Sequence, residues 1–364
     1  MSDIFEPASG FRGMRNPDAR ALARRMTTLK TLANDKGYFD VPPWEQALRC
    51  FELVALPLLA FVLLGRGGGG AAAAGAIVLA LHYLRTAFLG HDLAHGQWGP
   101  RNDAKPRFML AAVALLQGFG STWWVEKHEL HHAFPNGCRV NDSGVLTPID
   151  GDIDSAPWIV WDKMLTEYNS NALKSTWGKL LASALLRVQT QLFFPFLSVA
   201  RFNWGWQSAD TAVRKKKFGE AALCAAHWIL GLTLAAVLMP GPALTGAAWF
   251  LCAQLLGGFL LAIVFVLNHT GMEVYDASKA GGFYDRQARA TRNTPSSIFF
   301  DWITGGLNSQ IEHHMFPTMA RRNLSKMRAL TKAAMLECGY AYEELKNRDA
   351  LRAVLISLGD AARA

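Results

Sequence analysis

Seven of the ten histidines in this chain fall in three short segments. The first is His91-Asp92-Leu93-Ala94-His95, the second His128-Glu129-Leu130-His131-His132, and the third Gln310-Ile311-Glu312-His313-His314. His91 and His95 stand four apart, so on a helix they share a face. His128, His131 and His132 stand at i, i+3 and i+4, again one face. Gln310, His313 and His314 repeat that spacing, with an amide where His128 stands. Phe-Pro follows both later segments, and the proline ends the helix soon after the ligand pair. Imidazole suits iron, zinc, copper and nickel. With His269, discussed below, eight imidazoles and one amide exceed what a single metal takes. Two metals are the natural count, and a redox pair is the expected purpose. Amide oxygen is a poorer donor than imidazole, so Gln310 reads as a weak or water-mediated ligand.

The elements that must hold these donors read as membrane helices. The chain of 364 residues is 51% hydrophobic and 18% charged, with long uncharged runs that point to a bilayer rather than a soluble core. A formal net charge of +8 would suggest nucleic acid in a soluble protein. Here membrane topology accounts for it, and no nucleic-acid partner is expected. Trp44–Leu64, Ala71–Leu89, Ala221–Met239 and Ala243–Leu267 read as four spans. Glu45, Arg49 and Glu52 fall at helical spacing in the first span, placed to pair with one another. Arg85, near the end of the second, is placed to snorkel to the interface. Met109–Phe119 is too short to cross, since ~30 Å of hydrocarbon needs about 20 residues. It reads as a re-entrant or interfacial hairpin. Leu180–Ala200 carries Arg187, Gln189, Gln191 and Pro195 and reads as an amphipathic helix lying in the interface.

Charge gives a test of this topology. The two short turns at 65–70 and 240–242 hold one cation, Arg66, while nearly every other Lys and Arg falls on the opposite, cytoplasmic side. The same parity puts His91, His95, His128, His131, His132, His269, His313 and His314 on that one face. The expected organisation is an N-terminal cytoplasmic or interfacial segment at 1–43, a membrane domain at 44–325 and a C-terminal cytoplasmic helical tail at 326–364. Residues 1–20 are polar and show no secretory signal. The expected class is an all-α integral membrane protein with four transmembrane helices, interfacial helices and a cytoplasmic helical cap carrying the histidines.

Other candidates sort around this centre. His269 leaves the fourth span on the histidine face, which makes it the eighth ligand, with Asn268 beside it. His82 is nine residues before His91, about 180° away around a helix, and reads as structural, as does His227. Trp123 and Trp124, just before the second segment, line an apolar substrate channel or stand in an interfacial belt. Asp150-Gly151-Asp152-Ile153-Asp154 resembles a calcium loop, but Ser155 and Trp161 stand where such a loop needs Gly and Glu. It reads as a solvated acidic loop. The alternative is that its acids, Asp152 and Asp154 among them, hold the helix after His132 or cap the mouth of the site. Five scattered cysteines without Cys-x-x-Cys give neither a disulfide framework nor a zinc site.

The three boxes, His-x-x-x-His, His-x-x-His-His and Gln-x-x-His-His, flanked by four spans, resemble the membrane fatty acid desaturases. The resemblance runs from about residue 80 to 325. It is closest to the front-end acyl desaturases and the sphingolipid desaturases, and the glutamine of the third box is the mark of the front-end branch. It also rests on His131-His132-Ala133-Phe134-Pro135-Asn136, Asp152-Ile153-Asp154, Asn268-His269-Thr270-Gly271-Met272, Thr291-Arg292-Asn293 and Gly305-Gly306-Leu307-Asn308-Ser309. It implies an O2-dependent acyl desaturase with two non-haem irons bound mainly by the eight histidines. Hydrogen is taken from two adjacent methylenes, leaving a cis double bond and water. The implied substrate is an acyl chain carried on CoA, a carrier protein or a glycerolipid. The His-Pro-Gly-Gly haem motif of fused cytochrome b5 domains does not occur in this sequence, which implies a separate donor: cytochrome b5, or ferredoxin with its reductase. The Ala- and Gly-rich composition leans towards a bacterial inner membrane, with the endoplasmic reticulum as the alternative. Two rival functions stand beside this one. A hydroxylase or ketolase of the same membrane superfamily would keep the site and change the outcome. A histidine-rich metal transporter would place its ligands near the bilayer midplane.

Overall fold

The structure is a computed structural model that describes residues 17–364. Residues 1–16 of the polar N-terminal segment, where most of the expected lack of a signal sequence falls, lie outside the described residues. The chain forms α1 (Ala19–Asp35), α2 (Pro43–Gly65), α3 (Gly69–Ala94), α4 (Ala104–Gln117), α5 (Ser121–Ala133), β1 (Gly137–Val140) and β2 (Leu146–Pro148). It continues with α6 (Thr166–Asn171), α7 (Thr176–Arg214), α8 (Phe218–Leu238), α9 (Ala243–His269) and β3 (Tyr275–Asp276). The last elements are α10 (Phe283–Ala290), α11 (Ile298–Ile303), α12 (Gln310–Met315), α13 (Leu324–Glu337) and α14 (Asn347–Arg363).

Four helices cover the four apolar runs read from the sequence. α2 starts on Pro43, which needs no amide partner in the first turn. The Gly-rich turn behind it holds Gly67 and Gly68 at positive φ, and α3 begins there. Pro240-Gly241-Pro242 turns α8 into α9. Both α3 and α9 run past their apolar stretches, to Ala94 and His269, so His91 and His269 ride on the same rods as those stretches.

Two expectations change. The all-α class is corrected to a predominantly helical fold with a small sheet of order β2-β1-β3, antiparallel on one side and parallel on the other. The segment read as an amphipathic interfacial helix at 180–200 belongs to the 39-residue α7, so that among the described residues five helices are long and apolar enough to cross a membrane. The contacts of α7 are informative. In its first half, Gln189 bonds both backbone groups of Val160 and the carbonyl of Leu358. In its middle, Arg201 donates to Gln254 and to the Gln117 carbonyl. At its end Lys215 pairs with Glu126 of α5. Its middle packs on α9, while Gln189 and Lys215 reach segments outside the apolar runs. α4 and α5 meet at a 101° bend over Gly118–Gly120. Gly118 has φ +80, and a Cβ there would lie 2.5 Å from the His227 ring, so only glycine fits. Gln117 thus marks the inner end of a hairpin whose return arm carries His128.

Arg49 and Arg85, both buried, are paired with carboxylates rather than snorkelling. Arg85 bonds Glu52 at 2.8 Å, the Trp302 carbonyl and the face of the Trp302 ring, which corrects the interfacial reading. Glu45 does pair with Arg49, as expected, while Glu52 does not join them. Arg49 and Arg321 both reach Asp92, beside His91. Beyond the spans, α1, α10, α12 and α13 share one core that includes Leu22, Met26, Ile311, Phe316 and Met335. α14 closes against α7 and α9 through Val354, Leu358 and Ala361.

A close contact between α7 and α9 supplies a stability test. At Gly258 of α9 a Cβ would lie 2.4 Å from the Ser198 carbonyl oxygen of α7, and no rotamer relieves a backbone clash. Gly258→Ala should cost about 1–3 kcal/mol and lower the thermal unfolding midpoint in detergent. Gly219→Ala, with nothing within 4 Å of its new methyl, should leave the midpoint unchanged or raise it.

Candidate metal centre

The eight histidines read from the sequence meet in two adjoining clusters. One holds His91, His95, His128, His132 and His313; the other holds His131, His269 and His314, with ligand atoms within 4.8 Å of one another in each. The clusters share a wall, where the rings of His132 and His314 stack with centroids 4.2 Å apart. All eight side chains are buried except that of His95, which is half-buried.

Helix geometry assigns each imidazole to its cluster. His91 and His95 lie one turn apart at the end of α3 and enter the same cluster, as do His128 and His132 on α5. His131 and His132 are neighbours, about 100° apart around the axis, and face different clusters. His313 and His314 on α12 divide in the same way. Gln310, one turn before His314, places its amide 2.8 Å from Nε2 of His269 and so belongs to the three-histidine cluster.

The nitrogens suit metal coordination. In the five-histidine cluster the Nε2 atoms face one another: His91 to His313 at 3.1 Å, His313 to His132 at 3.1 Å, His132 to His128 at 3.1 Å and His128 to His95 at 2.9 Å. Around a metal with bonds of about 2.1 Å, donors at right angles stand about 3.0 Å apart. In the second cluster every Nδ1 is engaged from behind, leaving Nε2 to face inward. His131 Nδ1 meets Asp150 at 2.9 Å, His269 Nδ1 the Ala290 carbonyl at 3.0 Å, and His314 Nδ1 the Gln287 Oε1 at 2.7 Å. Such partners fix tautomer and ring orientation in metal sites. His314 Nε2 and Gln310 Oε1 are buried with no hydrogen-bond partner among the described residues, as expected of atoms that await a cation.

Electrostatics agree. Burial, followed by the neighbouring imidazoles, pushes His313 and His314 well below the usual histidine range, so both stay neutral and keep a lone pair. Burial also opposes charge on His131, but Asp150 and Asp152 outweigh it and raise its pKa to about 9. A site that favours a proton this strongly also favours a metal cation.

The supporting residues include several that sequence reasoning did not single out. Asp150 is fully buried and accepts from His131 and from the Asn136 amide, so the acidic loop is not solvated at this position. Asp152 stands 3.5 Å from His131 and pairs with Lys127 at 3.3 Å. Asp154 accepts from Tyr168 at the surface and takes no part in the centre. Asn268 holds the approach to α12 by donating to the Leu307 carbonyl. Gln287 donates to the His132 carbonyl while accepting from His314, and so ties both clusters to α10. Glu312 is buried between Asn293 and Tyr342. Burial raises its pKa, against the pull of those hydrogen bonds and Arg328. Asp92, held by Arg49 and Arg321 beside His91, carried a usable signal: a lone acid next to a clustered histidine on an apolar helix.

An apolar cavity adjoins the five-histidine cluster, lined by His91, Gly90, Ala87, Trp124, Phe119 and Leu261 among others. Trp124 lines it and stacks on His128 at 4.7 Å, whereas Trp123 instead donates to Gln207. His82 and His227 lie outside both clusters; His227 bonds the Leu115 carbonyl and Gln254.

Fold and site together define an apolar helical protein with a buried polyhistidine centre, compatible with a metal site, beside an apolar cavity. Comparison with known proteins gives this class a family. Residues 69–346 match the family described as fatty acid desaturase, and the chain belongs to that family. It is 35% identical over 296 residues to an acyl-lipid (9-3)-desaturase of Physcomitrium patens, covering 79% of this chain and 53% of the relative. It is 29% identical over 304 residues to a Delta(8)-fatty-acid desaturase of Euglena gracilis, covering 79% and 67%. A Delta(6)-fatty-acid desaturase of Caenorhabditis elegans is 32% identical over 266 residues, covering 69% and 56%. The chain thus spans about half to two thirds of the length of these curated relatives.

The carboxylate behind His131 gives the test of this centre. Asp150→Asn should weaken metal retention about 10- to 100-fold, read as metal content after dialysis against a chelator. Asp154→Asn should retain metal as the unaltered protein does. Gln310→His adds an imidazole to the poorer cluster and should slow metal loss.

Proposed function

We propose that this protein is an O2-dependent fatty acyl desaturase of the front-end type. The observation that carries the reading is the pair of adjoining imidazole clusters beside an apolar cavity. His91, His95, His128, His132 and His313 would hold one iron, and His131, His269 and His314 the other, with Gln310 as a weak or water-mediated ligand. Bound iron supplies the activation of O2 that no acid–base side chain can provide.

The chain's own residues do the rest. The cavity walls, with Phe119, Leu261 and the stacked Trp124, would hold an acyl chain against the His91–His128 side. Placing one carbon pair beside the centre decides where the double bond forms. Burial keeps bulk water from the reacting atoms. Asp150, Gln287 and the Ala290 carbonyl hold the ligand rings in one orientation. The chain would receive electrons from a separate one-electron carrier of the cytochrome b5 or ferredoxin type, and act on an acyl chain esterified to CoA, a carrier protein or a glycerolipid.

For topology we propose four crossings, α2, α3, α8 and α9, with the metal centre on the cytoplasmic face. The contacts of α7 support this, since Gln189 in its first half meets α14 and Lys215 at its end meets Glu126 of α5. The 101° bend between α4 and α5 supports a re-entrant hairpin there. A metal centre at the ends of α3 and α9, past their apolar stretches, also suits a lipid enzyme better than a transporter.

Expression of the chain in a host lacking polyunsaturated lipids should yield a new double bond in the host's acyl chains, located by mass spectrometry. His131→Ala and His314→Ala should abolish that product while the protein stays in the membrane. A hydroxylated or keto product instead would establish the rival oxygenase reading. Purified protein should hold about two irons per chain; one zinc and no iron would remove the redox reading. Reporter fusions after residues 68 and 241 should report one side of the membrane, and a fusion after residue 205 the other.

A further inference from the structure

We propose that residues 294–309 form a wedge that inserts into the hydrocarbon of the bilayer, with Ile298 and Phe299 at its tip in contact with lipid acyl chains. The segment lies in the polar C-terminal third of the sequence, yet it is built to leave water. Its ends are pinned together by the Thr294 amide to the Asn308 carbonyl at 2.9 Å and by Arg328 to both the Thr294 and Asn308 carbonyls. Its interior polar groups are satisfied locally. Asp301 accepts from Ser296 at 2.8 Å and from Asn308 at 2.7 Å, Asn308 also donates to the Pro295 carbonyl, and Ser297 caps the Phe300 amide. Ile298 and Phe299 nevertheless point outward, 93% and 63% exposed.

The depth of the anchor identifies what covers them. Trp302 donates to Glu52 at 3.0 Å and receives Arg85 on its carbonyl and its ring face. A Cβ on Gly305 would lie 2.4 Å from the Phe88 ring, so the loop sits directly on α3. Glu52 is eight residues beyond Trp44 on α2, about 12 Å along the axis. Arg85 is six residues before His91, about 9 Å inward from the metal layer. Between Trp44 and Glu52, α2 presents Leu48 and Phe51 outward, 48% and 67% exposed, and Val54 follows at 66%. The loop therefore docks beside an apolar, outward-facing stretch of a membrane helix, and its tip continues that surface. On the inner side Ile303 packs against the cluster of Leu84, Phe88, Phe119 and Leu261. Phe119 and Leu261 also line the cavity, so the wedge stands between the bilayer and the cavity wall.

The test uses the full chain in permeabilised membranes, with Cys252→Ser removing the exposed native thiol. Ile298→Cys is compared with Ser278→Cys, an exposed loop position, for labelling by a charged maleimide. A thiol in hydrocarbon neither ionises nor meets the reagent, so Ile298→Cys should react at least about tenfold more slowly. A phospholipid with a photoreactive group in its acyl chain should in turn attach to the peptide spanning 295–309. Equal maleimide rates, or photolabelling only by a headgroup-borne probe, would overturn the proposal. Neither readout depends on catalytic activity or bound metal.

Discussion

A helix turns about 100° per residue, so adjacent side chains cannot aim at one point. The two His-His pairs of this chain, His131-His132 and His313-His314, therefore cannot serve one metal, and each pair straddles two sites. The i, i+4 partners complete the arrangement. His91 with His95 and His128 with His132 converge on one cluster, and Gln310 with His314 on the other. The spacing dictates two donor clusters of unequal surroundings before any packing is considered. The rest of the fold has to bring α3, α5, α9 and α12 within reach of one another.

That convergence is costly. Each buried nitrogen without a partner costs about 1–3 kcal/mol, and the charged groups behind the ligands cost more if left alone. Asp92 sits behind His91 between Arg49 of α2 and Arg321 after the third box, so one carboxylate ties three distant stretches of chain together. Removing one partner of such a buried cluster costs about 3–5 kcal/mol. Asp150 does the same for α5 and the loop after it, and Gln287 for α10 and α12. These contacts hold the rings in place whether or not a metal satisfies them.

The sequence made the clustered histidines and the apolar helices legible, because both are periodic: imidazoles at one-turn spacing, and uncharged runs of span length. It concealed what depends on tertiary placement. Asp150 sits in a loop whose composition says solvent, and only the position of His131 buries it. Gln287, Asn293 and Glu312 are single polar residues in polar stretches, without spacing to mark them. Arg85 had a free route to the interface, and only Glu52 and Trp302 on other segments explain why it stays in. α7 misled on extent: its apolar run covers part of a helix whose contacts, not its length, say where it goes. The Ile298–Ile303 stretch was short enough to pass for loop, although its outward apolar pair was present in the sequence.

The inequality of the two clusters gives Gln310 its meaning. Had residue 310 been histidine, the box on α12 would mirror that on α5, with an i, i+4 imidazole pair for one site and a single imidazole for the other. With glutamine, the second cluster keeps three imidazoles and an amide whose Oε1 is buried and unbonded. A weaker donor leaves more positive charge on a bound metal and releases its place more readily to another oxygen ligand. The negative potential from Asp150 and Asp152 behind His131 falls on this same cluster and offsets part of that loss. The five-histidine cluster lies beside the apolar cavity through His91 and carries no such carboxylate pair at hydrogen-bond distance, while the poorer cluster is set deeper against α10 and the acidic loop. Donor number and nearby charge thus move in opposite directions across the centre. The amide and the acidic loop make sense as one adjustment of the second site.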